Sequence, residues 1–563
     1  MLDWFPCCAH RERDGEAPTL IGGKRRLKRS DSDEMEDRLQ DRLDDMTQSS
    51  RIRRHTLIMD HSTKKLSDHY KILATVGKGG FGTVRKACLK DCPDIVRAVK
   101  GIRKKPGDLR FNLALRRESI ILRSLDHPHI CRLHEVFENE TSMYFVMEFI
   151  EGHELFDEIK RNIVEKSFDE VRYAAIMRQV FSALAYMHEC EILHRDLKPE
   201  NIMVCKSSKD SEPIIKLIDF GSSVVTATAS RKSHKSCRIE GTFSYMAPEA
   251  HSGDYSAASD VWSAGVIIFV MFAGRFLDDM QDLDRQINSL SESVRALVKG
   301  LLMEDPEQRM SAGQALRHPW TAGTLTGIVS EEDMANFRKS MSAFSDFHAC
   351  NRLQKAALTA VASQLATEDV DALRQQFQLI DTDGNGVITR DELLQAYEKN
   401  PPAGVTDIPA WVDMIFEELD SDNSGQLEFT EYQAACLSSF TESSEQAICA
   451  AFRVMDLDHT GTISLEELGR VMQGSKEDLL ATLQLTDLNG DGVVDLDEFK
   501  ALITAIAPCP ATPGTKKLAM PQIDMNQRQG SGVDSSQSST RSQRSNSGNR
   551  SSSISSCRVA SPC

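Results

Sequence analysis

Four twelve-residue stretches set oxygen-bearing side chains at the spacing that encloses a hard cation. Asp381, Asp383, Asn385, Val387 and Glu392 occupy positions 1, 3, 5, 7 and 12 of the pattern D-x-[DN]-x-[DN]-G-x5-E. Oxygens at positions 1, 3 and 5 face the ion, and a glycine at 6 permits a sharp turn. Position 7 offers its carbonyl, and the glutamate at 12 chelates with both oxygens. The pattern recurs as Asp420, Asp422, Ser424, Gln426 and Glu431, as Asp456, Asp458, Thr460, Thr462 and Glu467, and as Asp487, Asn489, Asp491, Val493 and Glu498. One such stretch reads as a solvated acidic turn; four in tandem read as Ca2+ cages. Ser424 and Thr460 remove a carboxylate or amide from position 5, which predicts weaker binding in the second and third loops. Sensor sites of this type hold calcium at about 10⁻⁷–10⁻⁵ M.

A second chemistry lies upstream. Gly77-Lys78-Gly79-Gly80-Phe81-Gly82-Thr83-Val84 is glycine-rich in a way that lets backbone approach phosphates, since no side chain intervenes. Val96 to Lys100 follows with strand-like alternation, making Lys100 a phosphate-bridging candidate. Glu118, on a helical stretch, is placed to pair with it. His194-Arg195-Asp196-Leu197-Lys198-Pro199-Glu200-Asn201 matches H-R-D-L-x-x-x-N, and Asp219-Phe220-Gly221 and Ala247-Pro248-Glu249 follow in order.

These residues need elements to position them, and 563 residues exceed one hydrophobic core. The composition, 40% hydrophobic and 27% charged, is that of a soluble globular protein. Residues 1–65 are polar and are expected to be a disordered extension. Residues 70–320 alternate apolar runs with turn signals, as a catalytic domain would. Residues 330–365 form an apolar helical stripe through Phe337, Met341, Phe344, Leu353, Leu358, Val361 and Leu365. Residues 366–505 repeat a helix-loop-helix unit four times. Residues 508–563 are Ser-rich and are expected to be disordered. The run Val261 to Gly274 is too short to span a bilayer and predicts a buried helix.

With five motifs in order, residues 70–320 resemble a eukaryotic-type Ser/Thr protein kinase. The resemblance implies an α+β two-lobed fold, with a five-stranded small lobe above a mainly helical large lobe and ATP between them. It implies that Asp196 accepts the substrate hydroxyl proton, that Lys198 steadies the γ-phosphate, and that Asn201 and Asp219 hold Mg2+. Its nucleotide pocket would comprise Val76, Gly77, Lys78, Gly79, Gly80, Phe81, Gly82, Thr83, Val84, Ala98, Lys100 and Glu118, with Met147 as gatekeeper, Glu148 as hinge and Glu154 beyond. Asp260 would brace the catalytic loop and Arg309 would pair with Glu249. Glu154 and Glu200 resemble positions that face basic residues upstream of the target hydroxyl; exposed glutamates are the equal alternative. The segment from Gly274 to Ser293 is shorter than the family's docking region. Ser233 or Ser236 are candidate phosphorylation sites in a loop that also holds Arg238 and Glu240.

The four loops resemble EF-hands of the calmodulin family, which form an all-α domain of two paired lobes. The basic residues Arg338, Lys339, Arg352 and Lys355 make residues 330–365 resemble a calmodulin-target helix. The order kinase, joint, EF-hands resembles that of calcium-dependent protein kinases. It implies a joint that blocks the kinase until calcium opens the EF-hands and rearranges it. Rival readings are a calcium-responsive scaffold with an inactive kinase fold, and a constitutive kinase with a buffering tail.

A net charge of -17 argues against nucleic-acid binding. Fourteen scattered cysteines and the lack of a secretory leader suggest reduced thiols in the cytoplasm. No M-G-x-x-x-[ST] start supports myristoylation. Cys7-Cys8 followed by Lys24-Arg25-Arg26-Leu27-Lys28-Arg29 reads either as a palmitoyl-plus-polybasic membrane contact or as two thiols in a loose tail.

Overall fold

The computed structural model describes residues 57–504, except 62–63, 80–81, 207–211, 227–232, 236–240, 277–282, 289, 324–330, 366–369, 403–404, 438–444, 473–475 and 485. Cys7, Cys8, the basic cluster at 24–29, Gly80, Phe81, Ser236, Arg238, Glu240 and the tail at 508–563 lie outside the described residues.

The small lobe is one mixed sheet. Strands β1 (Met59–His61), β2 (Tyr70–Gly79), β3 (Gly82–Leu89) and β4 (Val96–Arg103) precede helix α1 (Leu109–Ser124), and β5 (Leu133–Glu138) and β6 (Ser142–Glu148) follow. The spatial order is β1-β5-β6-β4-β3-β2. Five strands were expected; the sixth, β1, adds in parallel to β5 with Met59 opposite Glu135. It also corrects the expectation of a disordered stretch to residue 65. Alternation explains its order: Leu57 and Met59 are buried in the core of the C-terminal helical domain, while Ile58 is buried in the core of the N-terminal domain. Asp108 caps α1 by accepting from the Phe111 N–H.

In the large lobe, α2 (Leu155–Glu165) follows β7 (Gly152–Glu154), and α3 (Glu170–Glu189) is buried continuously from Tyr173 to Met187. A helix apolar all round belongs in the centre of a lobe. Strands β8 (Ile202–Cys205) and β9 (Ile215–Leu217) form a three-stranded sheet with β7, β8 in the middle. Helix α4 (Ala257–Ala273) is the expected buried helix and ends at Gly274, whose φ of 67° needs no Cβ. The shortened region holds a four-residue helix, Leu283–Gln286, before α5 (Glu292–Leu301).

The joint, expected as one helix, is two: α6 (Glu331–Ala349) and α7 (Arg352–Gln364). The break comes from a reciprocal capping box, in which Asn351 accepts from the Gln354 N–H and Gln354 accepts from the Asn351 N–H. Eight helices follow: α8 (Asp371–Ile380), α9 (Arg390–Lys399), α10 (Ile408–Leu419), α11 (Phe429–Leu437), α12 (Glu445–Met455), α13 (Leu465–Val471), α14 (Lys476–Gln484) and α15 (Leu496–Thr504). They flank four loops, which pair two by two through short antiparallel strands: Ile388 with Leu427, and Ile463 with Val494. Among the described residues, no helix is long and apolar enough to cross a membrane.

Candidate active site and calcium loops

Lys100 is on β4, opposite Val84 of β3 and Phe145 of β6. Its Nζ lies 2.7 Å from Glu118 Oε1 and 2.7 Å from Asp219 Oδ1. Burial opposes the charge on Lys100, but the two carboxylates outweigh burial and push its pKa upward. Burial resists the charge on Asp219, and Lys100 overcomes it and lowers the pKa. The bridge joins sheet, α1 and large lobe. Gly221 keeps it open, since a Cβ there would sit 3.3 Å from Asp219 Oδ1. Above the site, β2 and β3 close as a hairpin with Gly79 opposite Gly82; Val76, Gly77 and Lys78 lie on β2, and Thr83 and Val84 on β3. Gly82 must lack a side chain, because a Cβ would meet the Gly101 carbonyl oxygen at 2.4 Å.

Ala98 pairs with Met147 of β6. Glu148, the last residue of that strand, turns its carboxylate to the Arg132 N–H at 2.8 Å and to Lys216 at 2.9 Å. Its side chain is therefore engaged in bracing the link between the lobes.

Asp196 sits in the catalytic loop with a partner on each oxygen. Lys198 Nζ is 2.8 Å from Oδ2, and Thr242 Oγ1 donates to Oδ1 at 2.8 Å. Lys198 also donates to Thr242 Oγ1 at 2.9 Å. Asn201 donates from Nδ2 to the Asp196 carbonyl at 2.8 Å, leaving its Oδ1 as an acceptor. Asp260 accepts from the His194 and Arg195 N–H groups at 2.9 and 2.8 Å, and His188 is 3.0 Å away. That anchorage holds Arg195 and the chain around it; Arg195 and Asp219 both adopt left-handed φ, 65° and 64°. Arg309 grips Glu249 through two bonds, 2.6 and 3.0 Å. Thr242 and His188 escaped the sequence reading. The available signal for Thr242 was a hydroxyl directly after Gly241, whose φ is 110°.

Glu154 ends β7 and takes the N-cap position of α2, with its surface exposed and its carboxylate partly desolvated beside Asp157 and Glu200. Its pKa is raised by burial, then by Asp157 and Glu200. Glu200 Oε2 is buried with no hydrogen-bond partner. Ser233 lies in a strand that pairs with Ser256.

In each of the four loops, backbone N–H groups hold the end carboxylates in place. The position-1 aspartates accept from the position-6 glycine N–H: Gly386 to Asp381, Gly425 to Asp420 and Gly461 to Asp456 at 2.9 Å, and Gly492 to Asp487 at 2.8 Å. Those glycines have φ of 80–88°. The position-12 glutamates accept from position-9 N–H groups: Thr389 to Glu392, Glu428 to Glu431, Ser464 to Glu467 and Asp495 to Glu498. In the first three loops the acidic oxygens gather within 4.8 Å. The fourth loop has Asn489 at position 3, with Asp491 at position 5. Burial first, and neighbouring carboxylates second, raise the pKa values of Asp381 and Glu431 well above their usual range. Like charges crowded this way fit a divalent cation, which would relieve the repulsion. Asn385, Ser424, Gln426, Val387, Thr460, Thr462 and Val493 occupy the remaining ligand positions.

The loops' helices enclose the joint. Phe337, Met341 and Phe344 of α6 and Leu353, Leu358 and Val361 of α7 are buried among them, with Leu365. The Tyr397 hydroxyl donates to the Met341 carbonyl at 3.0 Å, and Lys355 pairs with Glu418 at 2.6 Å. This unit packs against the N-terminal domain. Arg132 donates to the Ala362 carbonyl at 3.0 Å and to Gln433 Oε1 at 3.1 Å. Arg97 reaches Gln364 Oε1 at 2.9 Å. Arg97 and Lys100 are three apart on β4 and face opposite sides of the sheet, so one strand carries the Lys100–Glu118 pair on one face and the contact with the joint on the other. Asp126 accepts from the Thr430 N–H at 3.0 Å, and the Tyr186 hydroxyl donates to Glu428 at 3.1 Å. The β1 region ties in the third loop: Lys64 donates to the Leu457 carbonyl at 2.7 Å, while Arg123 of α1 pairs with Asp60 at 2.9 Å.

Comparison with known proteins places both halves. A family model described as a protein kinase domain matches residues 70–321, and one described as an EF-hand domain pair matches residues 370–437 and 445–504. The chain is 32% identical over 481 residues to Calcium-dependent protein kinase 5 of Plasmodium falciparum (isolate 3D7), covering 81% of each protein. It is 33% identical over 464 residues to Calcium-dependent protein kinase 3 of Plasmodium berghei (strain Anka), covering 78% of this chain and 80% of the relative. It is 31% identical over 475 residues to Calcium-dependent protein kinase 4 of the latter organism, covering 79% and 88%.

Proposed function

The chain belongs to the calcium-dependent protein kinase family, and we propose that its EF-hands switch the kinase by taking hold of the joint. It is a calcium-activated serine/threonine protein kinase that uses ATP. The observation that carries the switch is the burial of α6 and α7 among the EF-hand helices, together with the Lys100–Glu118 pair within the kinase. In this arrangement the joint is occupied away from the substrate. Without calcium, α6 and α7 would leave the EF-hand core and obstruct the substrate site. Inverting a 1:99 population takes about 5.5 kcal/mol of differential affinity, which four ions can share.

Phosphoryl transfer needs positioning and charge neutralisation more than covalent chemistry. Asn201 and Asp219 would hold Mg2+, which supplies cationic charge to the phosphates. Lys100 would contact the α- and β-phosphates and Lys198 the γ-phosphate. Asp196, oriented by Thr242 and Lys198, would receive the hydroxyl proton late in the transfer. Glu154 and the unpartnered oxygen of Glu200 favour substrates with arginine or lysine upstream of the target. The kinase is proposed to be cytoplasmic, with weak membrane contact through Cys7, Cys8 and the nearby basic cluster.

The test is transfer of radiolabelled phosphate from ATP to an arginine-containing peptide by the full chain, in calcium or chelator. Activity in calcium alone is expected. Equal rates in both conditions would refute the switch, and no transfer in either would refute catalysis. Replacing Glu392, Glu431, Glu467 and Glu498 together by Gln should abolish the calcium response.

A further inference from the structure

Two thiols from remote parts of the chain meet where α12 packs on the small-lobe sheet. Cys92 lies in the β3–β4 connection and Cys449 on α12; both are half-buried and free. Two observations set their register. Arg453, one helical turn beyond Cys449, pairs with Asp91, the neighbour of Cys92, at 3.3 Å. Ala450, the neighbour of Cys449, is buried in one apolar cluster with Leu89 and Ile95, and Cys92 packs on that cluster. Neither thiol has a part in ATP handling or calcium binding.

We propose that Cys92 and Cys449 form an oxidation site, at which a hydroperoxide makes a disulfide that ties the EF-hand domain to the small lobe. The Cys449 thiolate attacks one peroxide oxygen; the O–O bond breaks and the second oxygen leaves as water or alcohol after taking up a proton. The Cys92 sulfur then attacks the sulfenic sulfur of Cys449, the S–O bond breaks, and water departs. Two thiols are oxidised by two electrons and one hydroperoxide is reduced. Burial, then the nearby Cys449, pushes the Cys92 thiol up in pKa, which disfavours its thiolate and leaves the first attack on peroxide to Cys449. The packed interface brings the thiols together at high effective concentration, so the bond forms in preference to overoxidation. Its consequence rests on the switch proposed above: a chain linked this way cannot withdraw its EF-hands when calcium leaves.

The full-length reduced protein, in calcium, is treated with graded hydrogen peroxide, blocked with an alkylating agent and digested without reductant. Mass spectrometry is expected to find the Cys92 peptide joined to the Cys449 peptide. The joined species should disappear in Cys92→Ser and in Cys449→Ser and on adding dithiothreitol. Oxidised wild-type protein should keep most of its calcium-stimulated rate after chelation, while the reduced protein and both serine variants lose it. Sulfenic acid trapped on Cys449 with no joined peptide would overturn the proposal. A joined chain as inactive after chelation as the reduced one would also overturn it. A reduced protein that ignores calcium would instead count against the proposed function and leave the peptide result standing.

Discussion

Arg132 is the contact whose removal should read most directly on the calcium response. Its backbone is locked to the hinge residue Glu148, and its guanidinium donates to the Ala362 carbonyl of α7 and to Gln433 of α11. Methionine at this position keeps the alkyl stem and removes both donors. A hydrogen bond to a charged group contributes about 1.5–3 kcal/mol, so two at the low end come to roughly 3 kcal/mol. That is about two decades in the equilibrium between docked and undocked EF-hands. If four ions share the linkage, the half-activating calcium concentration moves by the fourth root, roughly threefold upward. The assay is peptide phosphorylation by full-length Arg132→Met and wild-type protein across a series of calcium buffers. The rate in chelator should not change, and saturating calcium should restore most of the maximal rate. Arg132→Lys, which can remake one of the two bonds, should fall between. Half-activation within about 1.3-fold of wild type, with folding intact by thermal melting, would refute a coupling role for this contact and the docked arrangement behind it.

Asp196→Asn should lower the rate constant for transfer by about 10²–10⁴ and leave calcium binding by calorimetry unchanged; a residual rate above a tenth of wild type would remove Asp196 from proton transfer. Gly386→Ala and Gly425→Ala test docking of the first loop. Both glycines have left-handed backbone, φ 85° and 80°, at a common cost of about 1–2 kcal/mol to alanine. Only at Gly386 would the Cβ also strike His127, 1.9 Å from Nε2. Thermal melts in calcium should show the larger loss for Gly386→Ala, and equal losses would refute that contact. His69 has its pKa lowered to about 4 by burial and then by Arg453. Its ring is uncharged in both states above about pH 6.5, and between there and about pH 4 only the unfolded chain takes up the proton. Stability should therefore fall as pH falls through that window, and His69→Asn should fall less steeply; parallel melting-temperature profiles would refute the assignment.

The chemistry was legible in the sequence because it is local. A calcium loop carries its ligands within twelve residues, and its glycine turn and capping glutamate follow from backbone geometry. The motifs around Asp196 and Asp219 similarly name candidate groups for handling phosphate, each within a few residues of chain. The stripe through Phe337, Met341, Phe344, Leu353, Leu358 and Val361 named the buried face of the joint, because helical period alone selects it. What no local pattern determined was the partner of that face and where the joint breaks. Nor could it determine that Met59 leaves the N-terminal extension to edge the sheet, that Thr242 bridges Asp196 and Lys198, or that Arg132, Arg97 and Cys92 face the EF-hand domain. Those contacts join residues tens to hundreds of positions apart, and such pairs leave no periodicity. They exist only once packing has brought two cores against each other, with the burial of apolar surface setting the positions at which polar groups must then find partners.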